Sequence, residues 1–109
     1  DDGLLALVRM VDADEKRTSE IRLALHLNSA LAHLRRGNLA SAVEHASGAL
    51  AMDPHSVKAL YRRSQARLKL AEHPGHSQEV SLARADLEEA LRLEPGNVEV
   101  RNQLQQLRS

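Results

Sequence analysis

Two hexapeptides far apart in the chain share one pattern. Ala49-Leu50-Ala51-Met52-Asp53-Pro54 and Ala90-Leu91-Arg92-Leu93-Glu94-Pro95 both read Ala-Leu-x-apolar-acid-Pro. Counting back, Ala42 and Ala83 each stand seven residues before the Ala of their hexapeptide. An internal repeat of this kind restricts the chain to architectures that stack similar units. The first unit fits a 34-residue frame, 23–56, and the second runs over 57–97 with seven extra residues around 72–78.

The units are helical. Leu and Ala make up about a third of the 109 residues, a composition that favours helix, and no segment has convincing strand periodicity. Leu4, Leu5, Val8 and Val11 form a short apolar stripe. The polar stretch 12–17 reads as a connection, with Thr18 or Ser19 capping a helix over 18–36. Gly37-Asn38 stops that helix, and further helices are expected over 39–52, 56–71, 78–93 and 98–107. Helices this short are unstable alone, and their short connections imply antiparallel pairs.

The charge is balanced, with 15 Lys/Arg against 15 Asp/Glu, so no overall basic excess points to nucleic acid. The balance hides a basic middle: residues 21–72 carry eight Lys/Arg against three acids. Tyr61 is the sole aromatic, too few for base stacking. Cysteine is absent, and no apolar run approaches a membrane span. Ser41, Ser47 and Ser64 have no evident His/Asp partners, and no Gly-rich phosphate loop occurs. His73 and His76 flank Pro74-Gly75 without completing a metal-ligand set. His26, His33 and His45 read as scattered helical positions, and Asp86, Glu88 and Glu89 as a solvated acidic face. No catalytic residue, metal or cofactor is therefore expected.

A helix–turn–helix unit of 34 residues with Ala…Ala…Pro in its second helix resembles the tetratricopeptide repeat (TPR). In that frame Ala30 and Ser64 take the small-residue site of the first helix. Ala42, Ala49, Ala83 and Ala90 take those of the second, where small side chains let helices approach closely. His26 and Leu60 stand where Trp is usual in the family, and His33 and Arg67 where Tyr is usual. The implied fold is all-α: TPR hairpins stacked in a right-handed solenoid with a C-terminal capping helix. Its units would be the second helix of a truncated repeat over 3–11, a repeat over 18–54, a repeat over 55–95 with the 72–78 insertion, and a cap over 97–108.

The segments His26-Leu27-Asn28-Ser29-Ala30 and Val57-Lys58-Ala59-Leu60-Tyr61-Arg62-Arg63 are similar to the carboxylate-clamp type of TPR domain found in immunophilin co-chaperones, of FKBP type or large cyclophilin type. That family holds the C-terminal Glu-Glu-Val-Asp tails of 90-kDa and 70-kDa heat-shock chaperones with an Asn from one repeat and a Lys and Arg, four apart, from the next. The resemblance implies that Asn28, Lys58 and Arg62 bind the peptide carboxylates. Leu27, Leu31, Tyr61 and Gln65 fall near the same faces and read as weaker groove-lining positions, with Arg35 and Lys69 as rim charges. Two further clamp positions of the family would lie upstream of residue 1, as would an isomerase domain in a parent protein. The implied location is cytoplasmic, and also nuclear; no nucleic acid, membrane or small-molecule cofactor is expected as a partner.

Lys58 and Arg62 share one helix face, where like charges repel unless an anion binds between them. Asn28 sits mid-helix in an apolar stretch, where a buried amide needs partners. Two plainer readings stand beside the clamp. Lys58, Arg62, Arg63, Arg67 and Lys69 would also fit a solvated basic face. A TPR scaffold docking a helix or subunit would need no free carboxylate.

Overall fold

The computed structural model describes residues 2–108; Asp1 and Ser109, the ends of the domain read from the sequence, lie outside the described residues. The described residues form five helices: α1 (Asp2–Arg36), α2 (Leu39–Met52), α3 (Val57–Leu70), α4 (Glu79–Leu93) and α5 (Val98–Arg108). α1 packs on α2 and α3, α3 on α2 and α4, and α5 on α4.

The turns follow from local chemistry. α1 ends in a Schellman arrangement: Gly37 has φ +80, its N–H donates to Leu34 O at 3.2 Å, and Asn38 N–H donates to His33 O at 2.8 Å. Both repeat units then close alike. Asp53 and Glu94 cap α2 and α4, their N–H groups donating to Ala49 O and Ala90 O. After each Pro comes an N-cap. Ser56 Oγ accepts from Ala59 N–H at 3.2 Å, and Asn97 Oδ1 accepts from Val100 N–H at 3.0 Å. The seven surplus residues fall in the 71–78 connection between α3 and α4, where Gly75 has φ +84.

Small residues set the packing distances. Ala30, Ser64, Ala42, Ala49, Ala83 and Ala90 are all buried, at 1% exposure or less. A methyl or hydroxymethyl at these crossings lets the backbones close up, and the remaining space is filled by few large side chains. Leu60, Leu87, Ala90, Val100 and Leu104 join α3, α4 and α5 in one cluster, so α5 caps the stack. Leu34, Ala42 and Ala66 form the second cluster, between α1, α2 and α3. His26, at the Trp site of the resemblance, is accommodated by Gly48: a Cβ there would stand 2.9 Å from the His26 ring. The rings of His26, His33 and His45 are gathered between α1 and α2, with His33 stacked on His45 at 5.3 Å.

Two expectations need correction. The 12–17 connection does not form; α1 is continuous through it. No Gly or Pro occurs between Leu4 and Arg36, and Ala, Glu, Lys and Arg in that stretch favour helix. Thr18 therefore caps nothing: its hydroxyl donates to the Asp14 carbonyl at 2.8 Å, one turn back. A helix of 35 residues is about 52 Å long at 1.5 Å per residue, which makes up most of the longest dimension of 64 Å. The second correction concerns Asp86. It is 4% exposed and lies at the centre of an ion-pair cluster, so it is no part of a solvated acidic face.

Candidate functional site

The basic residues of α3 divide between two faces, because i and i+4 share a face and a one-residue offset turns the side chain by about 100°. Arg63 and Arg67 face α4. Arg63 grips Asp86 with both arms of its fork, Nε to Oδ2 at 3.0 Å and Nη2 to Oδ1 at 2.7 Å. Its Nη1 donates to Ser47 Oγ at 3.1 Å, and Arg67 Nη1 donates to Asp86 Oδ2 at 2.8 Å. Glu79 stands 3.7 Å from Arg67 Nε. These two arginines are consumed in joining α2, α3 and α4, which excludes them from a solvated basic face.

Lys58 and Arg62 lie one turn apart on the neighbouring face. Lys58 is exposed in the first turn of α3, and Arg62 is half-buried. Arg62 Nη1 donates to the Leu27 carbonyl of α1 at 2.7 Å. That bond sets the guanidinium beside the turn that carries Asn28. Burial first, and the charge of Arg35 second, push the Arg62 pKa below its ordinary value. Guanidinium stays charged regardless, so Arg62 and Arg35 form a field that repels cations and attracts anions. Among the described residues, the ion-paired cations are Arg63, Arg67 and Arg92; Lys58, Arg62 and Arg35 are in no ion pair.

Asn28 is exposed, so its amide meets solvent and needs no buried partner. Leu27 and Leu31 are half-buried on α1, and Arg35 is exposed near its C-terminus. Tyr61 and Gln65 are half-buried on α3, one turn apart. Lys69 is exposed two turns beyond Arg62, at the far end of α3.

Sequence reasoning did not anticipate the far side of this surface. A cleft of about 390 Å³ opens next to Lys58, between the start of α3 and the α4–α5 turn. His55, Val57, Lys58 and Tyr61 line one side, and Glu94, Asn97 and Glu99 the other. The one available signal was Asn97, recognisable as the residue after Pro95-Gly96 at the start of a helix. No cluster of three or more His, Cys, Asp or Glu among the described residues could hold a metal ion. No described helix is long and apolar enough to cross a membrane.

No protein-family model matches the chain. It is 36% identical over 93 residues to the bovine peptidyl-prolyl cis-trans isomerase FKBP4, covering 85% of this chain and 19% of that one. The chain thus spans about a fifth of the length of this curated relative. Among solved structures it resembles the first TPR of Spaghetti (RPAP3) bound to the HSP90 peptide SRMEEVD, with TM-score 0.68 and 32% identity over 78% of this chain and 62% of that one. It also resembles the myosin chaperone UNC-45 of C. elegans in complex with an Hsp90 peptide, with TM-score 0.72 and 37% identity over 86% of this chain and 10% of that one.

Proposed function

We propose that this chain, a tetratricopeptide-repeat domain similar in sequence to immunophilin co-chaperones, binds the C-terminal Glu-Glu-Val-Asp tail of a heat-shock chaperone. The observation that carries the reading is the pair Lys58 and Arg62. They are cations in no ion pair among the described residues, and Arg62 is braced on the Leu27 carbonyl one residue from exposed Asn28. Arg62 offers its free N–H groups to a carboxylate in a planar fork, and Lys58 supplies a point charge one turn away. The Asn28 amide both donates and accepts, which suits a terminal carboxylate or a peptide backbone group. Leu27, Leu31, Tyr61 and Gln65 line the path of the peptide, with Arg35 and Lys69 at its rim.

Two of the similar structures hold Hsp90 peptides, which supports this ligand class. The segment itself acts by binding; any isomerase activity belongs to other parts of a parent protein, and the proposed setting is cytoplasmic. The test is titration with Met-Glu-Glu-Val-Asp as free acid and as C-terminal amide, on the wild type and on Lys58→Ala and Arg62→Ala. Binding of the acid alone, lost in both variants, is the expected result. Equal binding of acid and amide would leave a scaffold that docks partners without reading a carboxylate.

A further inference from the structure

We infer that the cleft beside Lys58 takes a basic side chain of the bound peptide, upstream of its acidic tail, with Glu99 as the specificity-determining partner. The inference rests on the carboxylate-binding reading, because Lys58 belongs to both surfaces. A peptide whose acidic residue meets Lys58, and whose preceding residues continue toward α5 in extended form at about 3.3 Å per residue, sets those residues over the cleft that Lys58 lines.

The chemistry of the walls differs sharply across the cleft. On the α3 side, Val57 and the ring of Tyr61 offer an apolar surface, with the basic residues His55 and Lys58 on the same wall. On the α5 side stand two carboxylates. Glu94 is partly engaged, its Oε2 accepting from Asn97 Nδ2 at 3.2 Å, while the same Asn97 caps α5 through Val100 N–H. Glu99 is exposed and is in no ion pair among the described residues. It lines the same cleft as Tyr61, and its charge is the second cause, after burial, that raises the Tyr61 phenol above its ordinary value.

An apolar floor ending in a carboxylate matches a long cationic side chain. The methylene stem lies on Val57 and Tyr61, and the charged head reaches Glu99. The Tyr61 ring adds an attraction of its own for a cation above its face. A carboxylate side chain in the same place would face Glu94 and Glu99 and lose contact with both. The surface is therefore divided: the Lys58–Arg62 end draws acidic groups, and the Glu99 end draws a basic one. Such a division also fixes the direction of the peptide, since reversal sets like charges together.

The peptide Ser-Arg-Met-Glu-Glu-Val-Asp, seen bound to one of the similar domains, carries an Arg two residues before its first Glu and serves as the probe. The experiment measures its affinity, and that of versions with Ala or Glu in place of the Arg, for the wild type and for Glu99→Gln. The wild type is expected to lose about threefold on Arg→Ala and about tenfold on Arg→Glu, the range of an exposed ion pair and its reversal. Glu99→Gln should shrink the tenfold difference to about threefold or less, and raised salt should do the same to the wild type. Each peptide is also run as its C-terminal amide, which reports on the carboxylate end and on correct folding. An equal Arg→Glu penalty in wild type and Glu99→Gln, with acid still preferred to amide, would overturn the basic subsite alone. Acid and amide binding alike would overturn the carboxylate reading and the subsite with it.

Discussion

The Arg62 guanidinium is held by the Leu27 carbonyl, its Nη1 donating across 2.7 Å from α3 to α1. A helical carbonyl already accepts one bond from its own helix, and the second lone pair is free for this use. The brace fixes a long side chain before any ligand arrives, so less rotamer entropy is lost on binding. Arg62→Lys keeps the charge and loses both fork and brace. It should weaken binding of the free-acid tail by about tenfold, the loss of one charged hydrogen bond, and Arg62→Ala by more. Calorimetric titration of the two variants checks this. A Lys variant that binds as tightly as wild type would mean that charge alone suffices.

Asp86 holds Arg63 and Arg67 together and is itself almost fully buried. Asp86→Asn leaves Arg63 in a low-dielectric site with its countercharge gone and Arg67 with only Glu79, 3.7 Å away. Breaking a buried pair typically costs about 3–5 kcal/mol, and the Arg side chains here keep 15–20% exposure, so the lower end applies. Urea unfolding should show the midpoint fall accordingly. A loss below about 1 kcal/mol would show the cluster to be replaceable by ordinary hydrogen bonds.

Gly48 faces the His26 ring, and a Cβ built on it would stand 2.9 Å from Cε1 and 3.0 Å from Nδ1. Gly→Ala within a helix otherwise stabilises by roughly 0.5–1 kcal/mol. Here the ring would have to move away from His45, whose Nδ1 lies 3.3 Å from its own. Gly48→Ala should therefore destabilise, by about 1–2 kcal/mol, the lower part of the range for overpacking. In a His26→Ala background the same change should become neutral or stabilising. Thermal melts of the two single variants and the double variant read the coupling directly.

The repeat was legible because its signals are local. The alanines, the acid-Pro turns and the Ser56 cap are all read within a few residues, and α2 begins and ends where Gly37-Asn38 and Asp53-Pro54 place it. The stretch 12–17 was misread because polarity suggests a loop, whereas helix continuity depends on the absence of a breaker. Asp86 was misread because its partners are 19 and 23 residues away on another helix. His26 and His33 share a face at i, i+7, but His45 joins them only when α2 folds back. Within the candidate site, the Lys58–Arg62 stripe could be read from spacing. The Leu27 brace and the Glu99 wall arise from packing between helices, which no local pattern records.

The N-terminal half of α1 has little to hold it. Its large apolar residues Leu4, Leu5, Leu7, Val8, Met10 and Val11 are 49–63% exposed, while the buried residues of α1 are Ala30 and Leu34. Helix without a packed face is marginal in water. Hydrogen exchange should therefore be fast over 4–18 and slow over 26–34. Asp14→Pro should reduce helical circular dichroism while changing the unfolding free energy by less than about 0.5 kcal/mol, because the break falls outside the packed helices. A stability loss above about 1 kcal/mol would show that the first turns of α1 are coupled to the core.

Tyr61 is the sole tyrosine in a chain without tryptophan, so alkaline absorbance titration reads it alone. Burial, the larger cause, and the charge of Glu99 both raise its pKa. The midpoint in the folded protein should lie above the ordinary value of about 10. A raised pKa means that the fold favours the neutral phenol. The corresponding stability is present below the unfolded pKa and is lost as pH rises through the folded value, so the domain should weaken above about pH 10. Glu99→Gln should lower the Tyr61 midpoint without returning it to the ordinary value, because burial remains. If the midpoint ignores Glu99→Gln, the carboxylate does not reach across the cleft, and the electrostatic basis for a basic subsite there fails with it.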